Sequence, residues 1–133
     1  MRVLDRIKAY WYWGDIGGFR YHLGLSDKYL VEAKTLFEYQ QYLLGVSALE
    51  RSDEQFRLVP GYLSLAKRDG KDIRQLRQAL LDASASHTSV LNTLLGEVPV
   101  SFVWRPEKAS EKNLRLHALI QSSIAVRREA IQP

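Results

Sequence analysis

The sequence predicts an all-α fold, an antiparallel bundle of four to five helices with an extended loop before the last helix. Three observations predict it. Apolar residues recur at spacings of three and four through most of the chain, no useful run alternates with a period of two, and glycine or proline punctuation cuts the chain into helix-length segments. Helices without a sheet to lie on must bury one another's apolar stripes, and short connections favour antiparallel neighbours. With 133 residues, 46% of them hydrophobic and 26% charged, the chain has the size and composition of one domain spanning 1–133.

The first segment, 2–13, puts Leu4, Ile7 and Trp11 on one helical face. Gly14, Asp15, Gly17 and Gly18 follow. Glycine costs about 1 kcal/mol relative to alanine inside a helix, so the cluster predicts a turn or kink after a short first helix. Phe19, Leu23, Ser26, Leu30, Ala33 and Phe37 then form the clearest amphipathic stripe, with Lys28, Glu32, Lys34 and Glu38 on other faces. Beyond Gln40 and Gln41, the residues Tyr42, Val46, Leu49 and Phe56 start a further stripe that runs through Leu63 and Ala66 to a stop at Asp69 and Gly70. Pro60 removes a backbone donor and crowds the preceding turn, which predicts a kink near Leu58 or two shorter helices.

The next segment has the clearest punctuation, with Asp72 as N-cap, Gln75 three residues later, and an end at Gly96 with Pro99 beyond. Its stripe is Ile73, Leu76, Leu80, Ala83, His87, Val90, Leu91 and Leu94. Val98 to Trp104 is apolar, β-branched and aromatic, yet it lies between two prolines with no second strand to pair with, so it predicts an extended loop lying across the bundle. Pro106 suits the first turn of a last helix, whose expected buried stripe is Leu114, Ala118, Gln121, Ile124 and Ala125. Arg127 and Arg128 sit at its C-terminal end, where cations favour the helix dipole.

Composition excludes several function classes. There is no cysteine, so disulfides, thiolate metal sites and cysteine nucleophiles are absent. A net charge of +4 suits solubility and falls short of the dense basic surface of a dedicated nucleic-acid binder. No stretch approaches the ~20 apolar residues of a membrane span. Met1 leads into Arg2 and an amphipathic segment with no signal-peptide core, as the mature part of an exported protein would after loss of its leader.

Each candidate for chemistry has a plainer reading beside it. His22, His87 and His117 all fall on or beside apolar stripes, and His87 with His117 is the pair that antiparallel neighbouring helices would bring level as metal ligands. Bundle metal sites use Glu-x-x-His pairs, which this chain lacks, so buried and hydrogen-bonded histidines are the expectation and no cofactor is expected. Tyr10, Trp11, Tyr12 and Trp13 form an aromatic run, with Tyr10, Trp11 and Trp13 as a candidate binding patch and packing as the plainer role. Lys71, Arg74 and Arg77, with Lys67 and Arg68, gather at a helix junction where an anion or nucleic acid would bind, though such residues usually form a solvated face. Asp27, Glu32, Asp53 and Glu54 lie on amphipathic helices among cations, without a nucleophile or a glycine-rich loop, so no catalytic residue is expected.

The run His22-Leu23-Gly24-Leu25-Ser26-Asp27-Lys28-Tyr29-Leu30-Val31-Glu32-Ala33-Lys34, preceded by Arg6-Ile7-Lys8, resembles a helical domain family of unknown function found in predicted exported proteins of poorly characterised bacteria. The matching positions are His22, Leu23, Leu25, Asp27, Lys28, Leu30, Glu32 and Ala33, within a match over about 3–56. Ser26 and Tyr29 stand where that family's pattern has Ala and Arg. The resemblance implies an exported or surface-associated helical domain with no established activity; beside it, the leading expectation is a structural or protein-interaction role with an unidentified protein partner. A weaker similarity, at Ala33, Tyr42, Gly45, Leu49 and Ser52, is to tetratricopeptide-type hairpins. No second copy follows at a period near 34, so it implies a generic helical hairpin closely packed at Gly45 and Ala48.

Overall fold

The computed structural model describes residues 14–132. Four helices account for most of them: α1 (Gly14–Glu38), α2 (Tyr42–Arg68), α3 (Arg74–Glu97) and α4 (Leu116–Ala130). Between α3 and α4 lies a two-stranded antiparallel hairpin, β1 (Phe102–Trp104) paired with β2 (Lys112–Leu114), in the register Phe102 to Leu114 and Trp104 to Lys112. The segment 2–13 lies outside the described residues.

No turn falls within 15–18, which are helical, and the short first helix expected before the glycine cluster lies outside the described residues. Gly14, at φ +84°, opens α1, and the helix runs on through Gly17 and Gly18. Packing explains why glycine stands there. A Cβ on Gly18 would overlap the ring of Tyr62, so the missing side chain admits that ring, and the close approach outweighs the low helix propensity. Gly45 works the same way at the other end of the α1 and α2 pair, where a Cβ would lie 2.8 Å from the Phe37 ring. The close packing expected at Gly45 and Ala48 is present, since both are buried.

Pro60 lies inside α2, which continues as one 27-residue helix rather than two shorter ones. Helix α3 starts at Arg74, with Ile73 rather than Asp72 at the cap position. The Asp72 carboxylate still accepts the Arg74 backbone N–H at 3.1 Å, so it serves the exposed helix end from one residue further out.

The expected loop before the last helix is half right. Phe102–Trp104 does find a partner strand, and it was hidden because Lys112-Asn113-Leu114 is short and mostly polar. Pro106 consequently lies between the strands and not in the last helix, which begins at Leu116. The buried stripe of α4 is Leu116, Ile120, Ser123, Ile124, Val126 and Arg127, while Ala118, Gln121 and Ala125 are exposed. Arg127, expected at the solvated end of the helix, is wholly buried.

Two apolar clusters make the core. One joins Leu30, Ala33 and Phe37 of α1 with Val46 and Leu49 of α2, Leu91 and Leu94 of α3, and Leu116 and Ile120 of α4. The other joins Phe19, Phe56, Val59, Leu76, Leu80 and Val126. In every helix the buried polar residues fall between its contributions to the two clusters or at their edge: Ser26, Ser52 with Asp53, Ser84 with His87, and Ser123 with Arg127. A polar layer thus crosses the core between two greasy halves.

Candidate functional site

Burying a guanidinium is costly unless each donor finds an acceptor, and Arg127 meets that condition with groups from α2, α3 and α4. Its Nη1 donates to Asp53 Oδ1 in an ion pair and to the Ser123 carbonyl at 3.2 Å. Its Nη2 donates to Ser52 Oγ at 2.7 Å, and its Nε donates to His87 Nδ1 at 3.3 Å. The Phe56 ring lies 5.1 Å from the guanidinium carbon and 5.2 Å from the His87 ring, so an aromatic wall closes one side. Burial pushes the Arg127 pKa below its ordinary value, with the charge and hydrogen bond of Asp53 opposing that shift.

The layer closes on itself around this centre. Ser123 Oγ donates to Asp53 Oδ2 at 2.7 Å, Ser52 Oγ donates to the Ser26 carbonyl at 2.7 Å, and Ser84 Oγ donates to the Arg127 carbonyl at 3.0 Å. Among the described residues no buried side-chain nitrogen or oxygen lacks a partner. Such full satisfaction is what makes a polar layer tolerable in an apolar core.

The geometry fixes the state of His87. Arginine has only donors, so Nδ1 must present its lone pair to Arg127, and the ring proton sits on Nε2, which donates to Asp27 Oδ1. His87 is therefore neutral here, with both nitrogens engaged. Two carboxylates and one guanidinium around a neutral ring leave the connected group one negative charge, carried at its outer end by Asp27. The Asp27 side chain is 57% exposed, against 5% for its partner His87.

Asp27 and His87 face a groove of about 400 Å³ between α1 and α3, walled by Leu23, Leu30, Ala83 and Val90. Asp82, Ser86 and Lys34 also line it. Asp82 takes a hydrogen bond from the Gln78 amide at 2.8 Å, and Lys34 is drawn to Glu38 at 2.6 Å, which raises its pKa.

The three histidines do not converge. His22 donates through Nδ1 to Gln55 Oε1 at 2.6 Å and stacks on Tyr62 at 5.2 Å, while His117 donates through Nε2 to the Val98 carbonyl at 2.9 Å. His87 and His117 therefore do not form the metal pair that level helices would have allowed, and among the described residues no group of three His, Asp or Glu side chains is placed to hold a metal ion. Of the basic residues, Arg74 is paired with Asp72 at 2.8 Å, and that carboxylate already occupies the start of α3 where an outside anion would have bound. Lys71 is exposed, and Arg77 lines a separate hollow of about 590 Å³ with Lys67. Tyr10, Trp11 and Trp13 lie outside the described residues.

Sequence reasoning placed Ser26 and His87 on buried stripes but missed Arg127 and Asp53, the ion pair at the centre of the same layer. A signal was present. Leu116, Ile120, Ser123 and Arg127 are spaced four, three and four apart, so Arg127 continues the stripe of α4. Comparison with protein-family models, curated proteins and solved structures found no match.

Proposed function

We propose that this chain is a non-enzymatic, single-domain helical module with a protein-interaction role, working outside or on the surface of a bacterial cell. The observation that carries the reading is the closed polar layer. The residues best suited to chemistry, His87, Arg127 and Asp53, are used on one another, and a histidine with both nitrogens engaged has no site left for taking a proton from a substrate. The extracellular setting rests on the resemblance of His22 to Lys34 to helical domains of exported proteins.

In this reading the helices form an up-down-up-down antiparallel bundle. What supports it is the order in which each helix meets the two apolar clusters: α1 runs from Phe19 to Phe37, α2 returns from Val46 to Val59, α3 runs from Leu76 to Leu94, and α4 returns from Ile120 to Val126. The hairpin is the recognition element. Val103 and Trp104 are exposed there, at 39% and 38%, with Val100 just before it at 67%, and the outer edge of a two-stranded sheet offers unpaired backbone groups to an incoming strand.

The test places a photoreactive amino acid at position 103 and, as a control, at the exposed Ala85 on α3, in cells of the source organism. A discrete adduct from 103 that is absent from 85, and that disappears with Trp104→Asp, is the expected result. Equal adducts from both positions contradict the reading.

A further inference from the structure

We infer that the groove between α1 and α3 is a binding site for a small amphiphilic organic cation, an ammonium carried on an apolar body. The inference goes beyond the interaction reading and does not depend on it, because the groove and the hairpin are separate surfaces.

Three features converge. The first is the charge of the buried layer. Arg127 is matched by Asp53, and its Nε–H holds His87 in the neutral form, so nothing within the layer balances Asp27. A surface carboxylate would ordinarily be balanced by water and salt alone. Asp27 is instead held at one oxygen by a buried imidazole N–H, which fixes its orientation before any ligand arrives and so reduces the ordering cost of binding.

The second feature is the surroundings of that carboxylate. The groove, of about 400 Å³, has apolar walls at Leu23, Leu30, Ala83 and Val90, against which the body of a small molecule can lie. The third is the charge of the lining. Asp82 adds a second carboxylate, whose only partner among the described residues is the neutral Gln78 amide. The single cation of the lining, Lys34, is engaged by Glu38 one turn along its own helix. The groove lining therefore carries two negative charges, at Asp27 and Asp82, beside greasy walls. An anion would be repelled, and a neutral apolar molecule would leave the carboxylates without a partner.

The test uses three probes of one shape: 4-phenylbutylamine, 4-phenylbutan-1-ol and 4-phenylbutyrate, titrated into ¹⁵N-labelled protein at pH 7.5 and followed by amide chemical shifts. The amine is expected to produce saturable shifts confined to 23–34 and 79–90, with affinity about tenfold above the alcohol, equivalent to about 1.4 kcal/mol. The butyrate should give no saturable shift there. In Asp27→Asn the amine and the alcohol should bind within about twofold of each other while the alcohol's affinity is kept. Retained alcohol binding reports that the groove is still formed. Asp82→Asn, a change at an exposed position, should lower the preference for the amine by a smaller factor. Equal binding of amine and alcohol to the native protein overturns the inference, as do amine shifts centred elsewhere, such as around Leu63 and Ile131, or no saturable shift with any probe. None of these outcomes bears on the hairpin, whose cross-linking is read separately.

Discussion

Replacing Arg127 with methionine keeps much of the side-chain volume and removes every donor. The change withdraws hydrogen bonds from Asp53, His87 Nδ1, Ser52 Oγ and the Ser123 carbonyl together, and it leaves a carboxylate with only 12% of its side chain exposed facing an apolar thioether. Removing one partner of a buried ion pair costs about 3–5 kcal/mol, because the other charge stays buried. Set against a total stability of about 5–15 kcal/mol, that is a large share. With a urea dependence of about 2 kcal/mol per molar, the unfolding midpoint followed by far-ultraviolet circular dichroism should fall by about 2 M. Adding Asp53→Asn to Arg127→Met removes the orphaned charge and should recover at least about 1 kcal/mol, a non-additivity expected only of groups in contact. A loss below about 1 kcal/mol for Arg127→Met, the size of an exposed pair, would refute the assignment of Arg127 to the core. Simple additivity of the two single losses would refute its pairing with Asp53.

Two glycines of α1 should respond in opposite directions. Gly18→Ala drives a methyl into the Tyr62 ring and should cost about 1–3 kcal/mol, with Tyr62→Leu relieving part of the loss; Gly24→Ala, with open space at its Cβ, should stabilise by about 0.5–1 kcal/mol, both read from thermal melts. Asp72 has its pKa lowered by the side-chain and backbone hydrogen bonds of Arg74. Its contribution is thus present above the unfolded value near 4 and is lost as pH falls through the lower folded value, so an Asp72→Asn variant should show a shallower loss of stability over that acid range than the native protein. Because His22, His87 and His117 have different partners, tenfold excess Zn²⁺ should leave the melting temperature unchanged at pH 7.5; a rise abolished by His87→Ala would contradict the structure.

The helices were legible because each carries a repeated stripe, and the amphipathic residues of α1 from Phe19 to Phe37 are the clearest case. What the sequence hid were contacts between elements. Gly18 reads as a helix breaker until Tyr62 is seen beside it, and Lys112 to Leu114 reads as part of a last helix begun at Pro106 until Phe102 to Trp104 is laid along it. The polar layer was hidden for a related reason. A cation near a helix C-terminus reads as a dipole partner, and only the burial of Arg127 opposite Asp53 turns it into the centre of the core. One hydroxyl on the buried face of each helix, at Ser26, Ser52, Ser84 and Ser123, was the trace of that layer in the sequence.

The non-enzymatic reading and the cation site both turn on His87 being held neutral between Arg127 and Asp27, which both spends its chemistry and leaves Asp27 charged. Long-range ¹H–¹⁵N correlation of the histidine rings at pH 7.5 reads that state directly. In the native protein, His87 should carry its proton on Nε2 with Nδ1 bare. Protonation of both nitrogens, or a proton on Nδ1 alone, would contradict it.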